Sequence, residues 1–171
     1  MKPPEFTVIV DTREPEESYT WDGVQTQRGT LLAGDYSLVG LEHLASVERK
    51  SFADFYGCLV MGSDRDTSPR LRFEDSLHRL AAIRYPLVVI EADMARLCKP
   101  YTYVAAGGAR RRSRVPPLVA QNSLLSWQAR YRVPMLLCGD KARAAKMTLQ
   151  HLLLAAELAR GNPLAEDDSV Q

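Results

Sequence analysis

Short runs of β-branched and apolar residues, separated by polar turns, occupy the first fifty positions of the chain. Thr7–Asp11 reads T-V-I-V-D, an apolar run that ends in an acid and is typical of a buried strand. The same criteria predict three further strands, at residues 24–27, 36–39 and 44–50. The chain therefore begins with closely spaced strands and has room for little helix between them.

After residue 50 the hydrophobic spacing changes from that of strands to that of helices alternating with strands. Ser51 and Asp140 are predicted helix N-caps, and Gly161 is a predicted helix stop. The predicted helices lie at residues 52–59, 70–83, 118–132 and 140–160, and the predicted strands at 86–91 and 134–138. Strands first and strand–helix alternation afterwards predict an α/β fold, a central mixed β-sheet flanked by helices.

Residues 101–117 follow neither pattern. The segment holds Gly107 and Gly108, two consecutive prolines and four arginines, Arg110, Arg111, Arg112 and Arg114. This composition predicts a mobile basic loop. Arginines so close together favour contact with DNA phosphates and a salt-sensitive affinity, and the alternative is a solvated loop without a ligand.

The two last predicted helices are poor in charge. Residues 118–129 contain no charged side chain, and between Ala144 and Ala159 only Lys146 and Glu157 are charged. A surface helix with one buried side normally has a broader polar face. We therefore expect a homodimer that forms through the helices at about 118–132 and 140–160. The alternative is that both helices are simply well buried in one chain.

Size and composition indicate one ordinary globular domain, residues 1–161, followed by an acidic flexible tail, residues 162–171. The sequence lacks an apolar run of about 18 residues and a signal-peptide pattern, so no membrane span is expected. Three cysteines without metal-ligand spacing indicate free thiols and a reducing cytoplasm. The net charge of +1 does not by itself indicate nucleic acid.

Acidic residues and a lysine converge on neighbouring predicted strands. Glu48 and Lys50 are two residues apart, so their side chains point to the same face of a strand, and that of Arg49 points to the opposite face, where it would form a structural salt bridge. Asp11 and Asp35 end or precede adjacent strands and would lie near the same point. Carboxylates bind hard cations such as Mg²⁺ or Mn²⁺, and the lysine would orient or deprotonate water, or meet phosphate charge. The layout predicts a divalent-metal phosphodiester nuclease, with Asp11 alternatively a turn former.

These residues stand in a recognisable order. Gly34-Asp35 is followed, after twelve residues, by Glu48-Arg49-Lys50 and then by Asp54. The set resembles the G-D-x(n)-E-R-K-x(3)-D signature of XPF-type nucleases, which include the archaeal Hef nuclease and have a restriction-endonuclease-like fold. The resemblance extends over about residues 7–160.

The resemblance implies catalytic roles for Asp11, Asp35, Glu48, Arg49, Lys50 and Asp54, with Asp11, Asp35 and Glu48 as metal ligands. Asp54 has an alternative explanation as an acid in the first turn of a helix. By the same resemblance, Arg13 and Arg72 are expected to contact DNA.

The resemblance further implies a Mg²⁺- or Mn²⁺-dependent endonuclease that cuts branched DNA, such as forks, flaps and Holliday-type junctions, in repair or recombination. The family usually carries a tandem helix-hairpin-helix domain, and these 171 residues contain none, so a separate DNA-binding partner is possible. A minimal nuclease of this kind suits the cytoplasm and nucleoid of a bacterium, or a phage. The alternatives are a catalytically silent DNA-binding or scaffold subunit and a sequence-specific duplex nuclease.

Overall fold

A mixed β-sheet forms the centre of the protein in the computed structural model, which describes residues 6–15, 19–59 and 68–161. Its strands are β1 (Thr7–Asp11), β2 (Gln25–Gly29), β3 (Tyr36–Leu38), β4 (Ala45–Lys50), β5 (Tyr85–Ile90) and β8 (Met135–Leu137). A separate hairpin consists of β6 (Thr102–Val104) and β7 (Arg110–Arg112). The order across the sheet is β2-β1-β3-β4-β5-β8.

The sheet combines parallel and antiparallel pairs. Strand β3 runs antiparallel to β1 and to β4. The pairs β1–β2, β4–β5 and β5–β8 are parallel. The prediction of a mixed sheet is therefore confirmed, and β5, an apolar and mostly buried strand, lies between two parallel neighbours.

Helices cover both faces of the sheet. They are α1 (Phe52–Gly57), α2 (Pro69–Leu80), α3 (Met94–Leu97), α4 (Pro117–Tyr131) and α5 (Lys141–Ala159). Because strand side chains alternate, Val88 and Ile90 join the core beneath α1 to α4. Val89, with Val47, joins the core beneath α5. The two cores sandwich the sheet, as the predicted fold class requires.

The helix starts follow from capping residues. Ser51 accepts a hydrogen bond from the backbone amide of Asp54, and Asp140 accepts one from the amide of Arg143. Both residues were predicted N-caps and are confirmed. Helix α3, which Asp93 caps, was not predicted because its four residues are too short for a periodic pattern.

The basic segment, predicted as a mobile loop, contains a β-hairpin that was not predicted from the sequence. Strand β6 pairs antiparallel with β7, and Tyr103 lies opposite Arg111. The turn closes through a hydrogen bond of 3.0 Å from the Gly108 amide to the Ala105 carbonyl. Gly107 occupies the third position of this turn with a φ of 96°, a left-handed conformation that favours glycine. The glycines that suggested irregularity therefore form the turn of a hairpin.

Within the described ranges, no helix combines the length and hydropathy that a membrane crossing needs. Cys58, Cys98 and Cys138 are all free, as expected. The predicted acidic tail, residues 162–171, lies outside the described residues.

Candidate active site

The register of the sheet brings Asp35 and Glu48 together. Tyr36 pairs with Val47 across the antiparallel strands β3 and β4, so Asp35, which precedes β3, lies next to the strand that carries Glu48. The amide of Asp35 donates to the Val47 carbonyl at 2.8 Å, which holds Asp35 against β4. Both side chains line the same cleft, together with residues of α1 and α2. The two carboxylates therefore project to one side, where α1 and α2 lie.

Glu48 is buried and holds two partners. One carboxylate oxygen, Oε1, accepts a hydrogen bond from Lys50 Nζ at 2.7 Å. The other, Oε2, accepts one from Ser76 Oγ, also at 2.7 Å. Lys50 comes from the same strand, as the two-residue spacing predicted, whereas Ser76 comes from α2. The glutamate is thus oriented from two independent elements.

The carboxyl group of Asp35 has a strongly shifted pKa. Burial, and then the negative charge of Glu48, raise the pKa of Asp35 well above its ordinary value. The Arg49 amide donates to Asp35 Oδ2 at 2.7 Å and opposes this shift. The repulsion between the two carboxylates remains only partly compensated. Such a pair favours a bound positive charge.

Lys50 is held as an ammonium ion. Burial lowers the pKa of Lys50, but the charge of Glu48 and their hydrogen bond outweigh it and keep that pKa above its ordinary value. Nζ also lies 4.8 Å from the centre of the Phe73 ring. A protonated lysine cannot accept a proton from water. Of the predicted roles, this arrangement favours neutralisation of phosphate charge over deprotonation of water.

These groups lie in an open cleft of about 450 Å³. Its lining is rich in arginine, with Arg13, Arg72 and Arg79 among the residues around the carboxylates. Arg72, for which the resemblance implied DNA contact, lines the cleft, and so does Arg79, which was not predicted. The arrangement suits an anionic ligand with a cation between it and the two acids.

Asp54 also lines this cleft. Its carboxylate accepts a hydrogen bond of 2.6 Å from the Ser51 hydroxyl, and Ser51 in turn caps α1. The helix-capping explanation thus accounts for the local geometry of Asp54. Its exposure to the cleft is what the resemblance to a catalytic motif would need.

Asp11 is not among the residues that line the cleft with Asp35 and Glu48. By register, Asp11 lies beside Asp35, and its amide donates to the Asp35 carbonyl at 2.8 Å. Its fully buried side chain, however, accepts hydrogen bonds from Arg13 Nε at 2.6 Å and from the Leu31 amide at 2.7 Å. Although burial acts in the opposite direction, these bonds hold the pKa of Asp11 below its ordinary value.

Arg49 points away from Glu48 and Lys50, as strand alternation predicted. Its Nε donates to Glu91 Oε1 at 2.7 Å, and Nη1 lies 3.5 Å from Glu14 Oε2. Glu14 also accepts a hydrogen bond from the Tyr36 hydroxyl at 2.9 Å. The side chain of Arg49 therefore ties β4 to β5 and to the segment after β1, while its amide supports Asp35.

Ser76 was not among the predicted site residues, because a single serine in a helix carries no signal of its own. We expect Ser76→Ala to lower the single-turnover rate of DNA cleavage by about 10- to 100-fold, since Glu48 loses the partner that orients one oxygen. Ser37→Ala is the matched control, because Ser37 is equally buried and donates to the Ala45 carbonyl at 2.6 Å. Equal rates for the two variants would exclude an orienting role for Ser76.

Comparisons with known proteins give the family and the fold of the chain. The model of the ERCC4 domain family matches residues 10–151. The structure of XPF from Aeropyrum pernix superposes with a TM-score of 0.61 at 21% identity, covering 91% of this chain and 67% of that chain. XPF from Aeropyrum pernix in complex with DNA gives a TM-score of 0.61 at 21% identity, covering 90% and 66%. Among curated proteins, no significant match to the sequence is found.

At this identity the two structures show the fold, and the chain spans about two thirds of their length. The family match covers most of the chain, including β3, β4 and all the residues that line the cleft. The chain therefore belongs to the ERCC4 domain family, with the restriction-endonuclease-like fold of XPF-type nuclease domains.

Proposed function

We propose that the protein is a divalent-metal-dependent DNA endonuclease that hydrolyses phosphodiester bonds in branched DNA, in repair or recombination. The observation that carries this proposal is that two interacting carboxylates, Asp35 and Glu48, line one arginine-rich cleft, with the Lys50 ammonium group bonded to Glu48. Membership of the ERCC4 domain family supports nuclease chemistry. A structure of the similar Aeropyrum pernix XPF contains DNA, which supports DNA as the ligand.

The donor set fits Mg²⁺ or Mn²⁺. Carboxylate oxygens suit hard cations, and the raised pKa of Asp35 reflects a repulsion from Glu48 that a cation would relieve. Within residues 6–15, 19–59 and 68–161, no three His, Cys, Asp or Glu side chains are grouped to hold an ion. Two carboxylates are sufficient for Mg²⁺, which usually keeps several waters and takes phosphate oxygens. We therefore propose Asp35 and Glu48 as the protein ligands; Asp11 would first have to leave Arg13.

The other residues of the cleft would orient Glu48, stabilise negative charge and position the DNA. A bound divalent cation would supply Lewis-acid activation of water and of the phosphate. Ser76 and Lys50 orient Glu48, and the Lys50 ammonium group stabilises negative charge that develops on the phosphate. Arg72 and Arg79 position the DNA backbone along the cleft. We expect selection by DNA structure rather than by sequence, because none of these contacts addresses base edges.

The decisive experiment compares labelled fork, 3′-flap, Holliday-junction, single-stranded and plain duplex DNA in Mg²⁺ or Mn²⁺. Cleavage near the branch, absent without metal, is the expected result. Cleavage of homogeneous duplex at one site would favour a sequence-specific nuclease instead. Binding without cleavage of any substrate would favour the silent scaffold subunit, or a requirement for a DNA-binding partner.

Metal binding has a separate readout that does not depend on activity. We expect Mn²⁺ to raise the melting temperature, because a ligand of the folded state stabilises by about 2.7 kcal/mol at one hundred times its dissociation constant. Asp35→Asn should abolish this rise and, without metal, melt higher than the wild type because the repulsion with Glu48 is gone. An undiminished Mn²⁺ effect in Asp35→Asn would exclude Asp35 as a ligand.

We also propose a homodimer. Leu118, Val119 and Leu125 on α4 are 65%, 45% and 62% exposed, an unusual amount of aliphatic surface for one helix. These side chains continue the charge-poor pattern noted in the sequence. Sedimentation equilibrium of the purified chain distinguishes a dimer from a monomer.

A further inference from the structure

A second cavity, of about 1000 Å³, lies beside the candidate active site, between α1 and the β6–β7 hairpin. The two recesses share Ala53 and Gly57, so α1 forms a common wall. The volume is at the upper end of the range of about 300–1,000 Å³ for small-ligand sites. The candidate chemistry of Asp35 and Glu48 does not use this cavity. The cavity is large enough to bind a ligand of its own.

One wall of this cavity is a stack of tyrosine rings. Tyr56 and Tyr101 stack at 4.5 Å with an angle of 27° between their planes. Tyr101 and Tyr103 continue the stack at 6.1 Å and 21°. Tyr103 stands at the outer end and is 41% exposed. A flat aromatic ligand could extend the stack from that position.

The deep end of the stack has an unused polar atom. Tyr56 is 2% exposed, and its hydroxyl is the one buried side-chain nitrogen or oxygen without a hydrogen-bond partner in the described part of the chain. Buried hydroxyl groups nearly always have a partner, and leaving one unpaired is costly. Burial raises the pKa of the Tyr56 hydroxyl, so it stays protonated and available as a donor. Because Tyr56 lines the cavity, this hydroxyl is a donor that a ligand with a hydrogen-bond acceptor would satisfy.

The positive charge of the cavity favours an anionic ligand. Arg111, Arg112 and Arg114 line it, and none of the described residues around it is acidic. Tyr103 and Arg111 are paired across the hairpin, so a ring and a guanidinium group lie on the same face. An aromatic platform beside arginines is the combination that binds single-stranded nucleic acid.

We propose that this cavity binds an unpaired nucleotide of DNA, whose base stacks on the tyrosines and whose phosphate meets the arginines. The proposal rests on the proposed function, because it takes the ligand to be the same DNA that enters the cleft. A base inside a duplex cannot stack on a protein ring, whereas a base in a single-stranded arm can. With α1 as the shared wall, the pocket would hold the unpaired strand next to the bond to be cut.

The first test measures binding by fluorescence anisotropy of labelled dT₁₂ and of a duplex of equal length, without metal. Tyr103→Ala should weaken binding of dT₁₂ by about 5- to 100-fold and leave the duplex nearly unaffected. Tyr103→Phe, which keeps the ring, should bind like the wild type. Thr102→Val is the matched control, since Thr102 is exposed on the same strand but does not line the cavity. Unchanged dT₁₂ binding by Tyr103→Ala would overturn the proposal.

The second test addresses the hydroxyl. Tyr56→Phe should weaken binding of dT₁₂ by about 2- to 10-fold, the effect of one hydrogen bond, without lowering the melting temperature. A lower melting temperature with unchanged binding would mean that the hydroxyl serves the fold, against the proposal.

The third test locates the nucleotide. In a labelled fork, one abasic position in the single-stranded arm should weaken binding by the wild type and have no further effect in Tyr103→Ala. A loss that is independent of position, or equal in both proteins, would contradict a defined pocket. Tyr103-dependent binding without any cleavage would sustain the pocket and favour the silent scaffold subunit, or a requirement for a DNA-binding partner, over a nuclease that acts alone. Cleavage of forks, together with binding that does not depend on Tyr103, would support the nuclease and overturn the pocket.

Discussion

Glu48→Gln is expected to lower the rate of DNA cleavage by about three orders of magnitude, the most severe functional loss among the variants considered. A bound metal ion contributes several kcal/mol to transition-state stabilisation, and each 1.36 kcal/mol corresponds to about tenfold in rate. Glutamine keeps the volume of the side chain and an oxygen for the Ser76 hydroxyl, but it loses the charge. The same change also leaves the Lys50 ammonium group without its partner at 2.7 Å.

The measurement is single-turnover cleavage of the best branched substrate at saturating Mg²⁺. Glu74→Gln is the matched control, because Glu74 is also an ion-paired glutamate, 3.0 Å from Arg70 Nε, and does not line the cleft. If both variants lose activity together, the cause is damage to the fold, which circular dichroism and the melting temperature will reveal. If Glu48→Gln cleaves like the wild type, the metal does not depend on this residue.

Gly34→Ala is expected to be the most destabilising of the substitutions, by about 2–5 kcal/mol. Gly34 has a φ of 71°, where a side chain costs about 1–2 kcal/mol. In addition, a Cβ atom would lie 2.2 Å from Ser46 Oγ and 2.9 Å from the Val47 carbonyl oxygen. Relieving such overlap in a packed core costs about another 1–3 kcal/mol. Asp35 follows directly, so the variant should lose cleavage as well.

Gly40→Ala separates the two effects. Gly40 has a similar φ of 82°, but nothing lies within 4 Å of the position of its Cβ atom. Its replacement should cost only about 1–2 kcal/mol, the conformational part. Urea unfolding of both variants measures the difference. Equal losses would show that the crowding around Gly34 is relieved without cost, and that the glycine before Asp35 is needed only for its backbone conformation.

Glu48 and Lys50 illustrate how far local pattern reaches. They lie two apart in a strand, and the alternation of side chains dictates that they share a face, as predicted. Their ion pair at 2.7 Å was not predicted, but the shared face makes it possible. The opposite orientation of Arg49 followed from the same rule, and its ion pair with Glu91 bears it out. The caps Ser51 and Asp140 were predictable because capping depends on neighbours within one turn.

Asp11 and the basic segment illustrate what local pattern leaves open. The sequence places Asp11 at the end of a strand next to Asp35, yet the direction of its carboxylate depends on Arg13 and on the Leu31 amide, twenty residues away. In residues 102–112, glycines and arginines are typical of an irregular loop, but the pairing of Tyr103 with Arg111 makes a hairpin. Both outcomes depend on contacts between chain segments whose geometry no short window contains.

By itself, the sequence determined the α/β class, most strands and helices, and the motif around Asp35, Glu48 and Lys50, because periodicity, capping and strand alternation act within a few residues. Only the tertiary structure decided that Ser76 orients Glu48, that Arg79 joins the cleft, and that Tyr56, Tyr101 and Tyr103 stack beside it. Those contacts join α1, α2 and the hairpin, and their geometry depends on how each element packs on the sheet. The physical reason is that side-chain contacts between distant segments follow from packing, which local preferences do not contain.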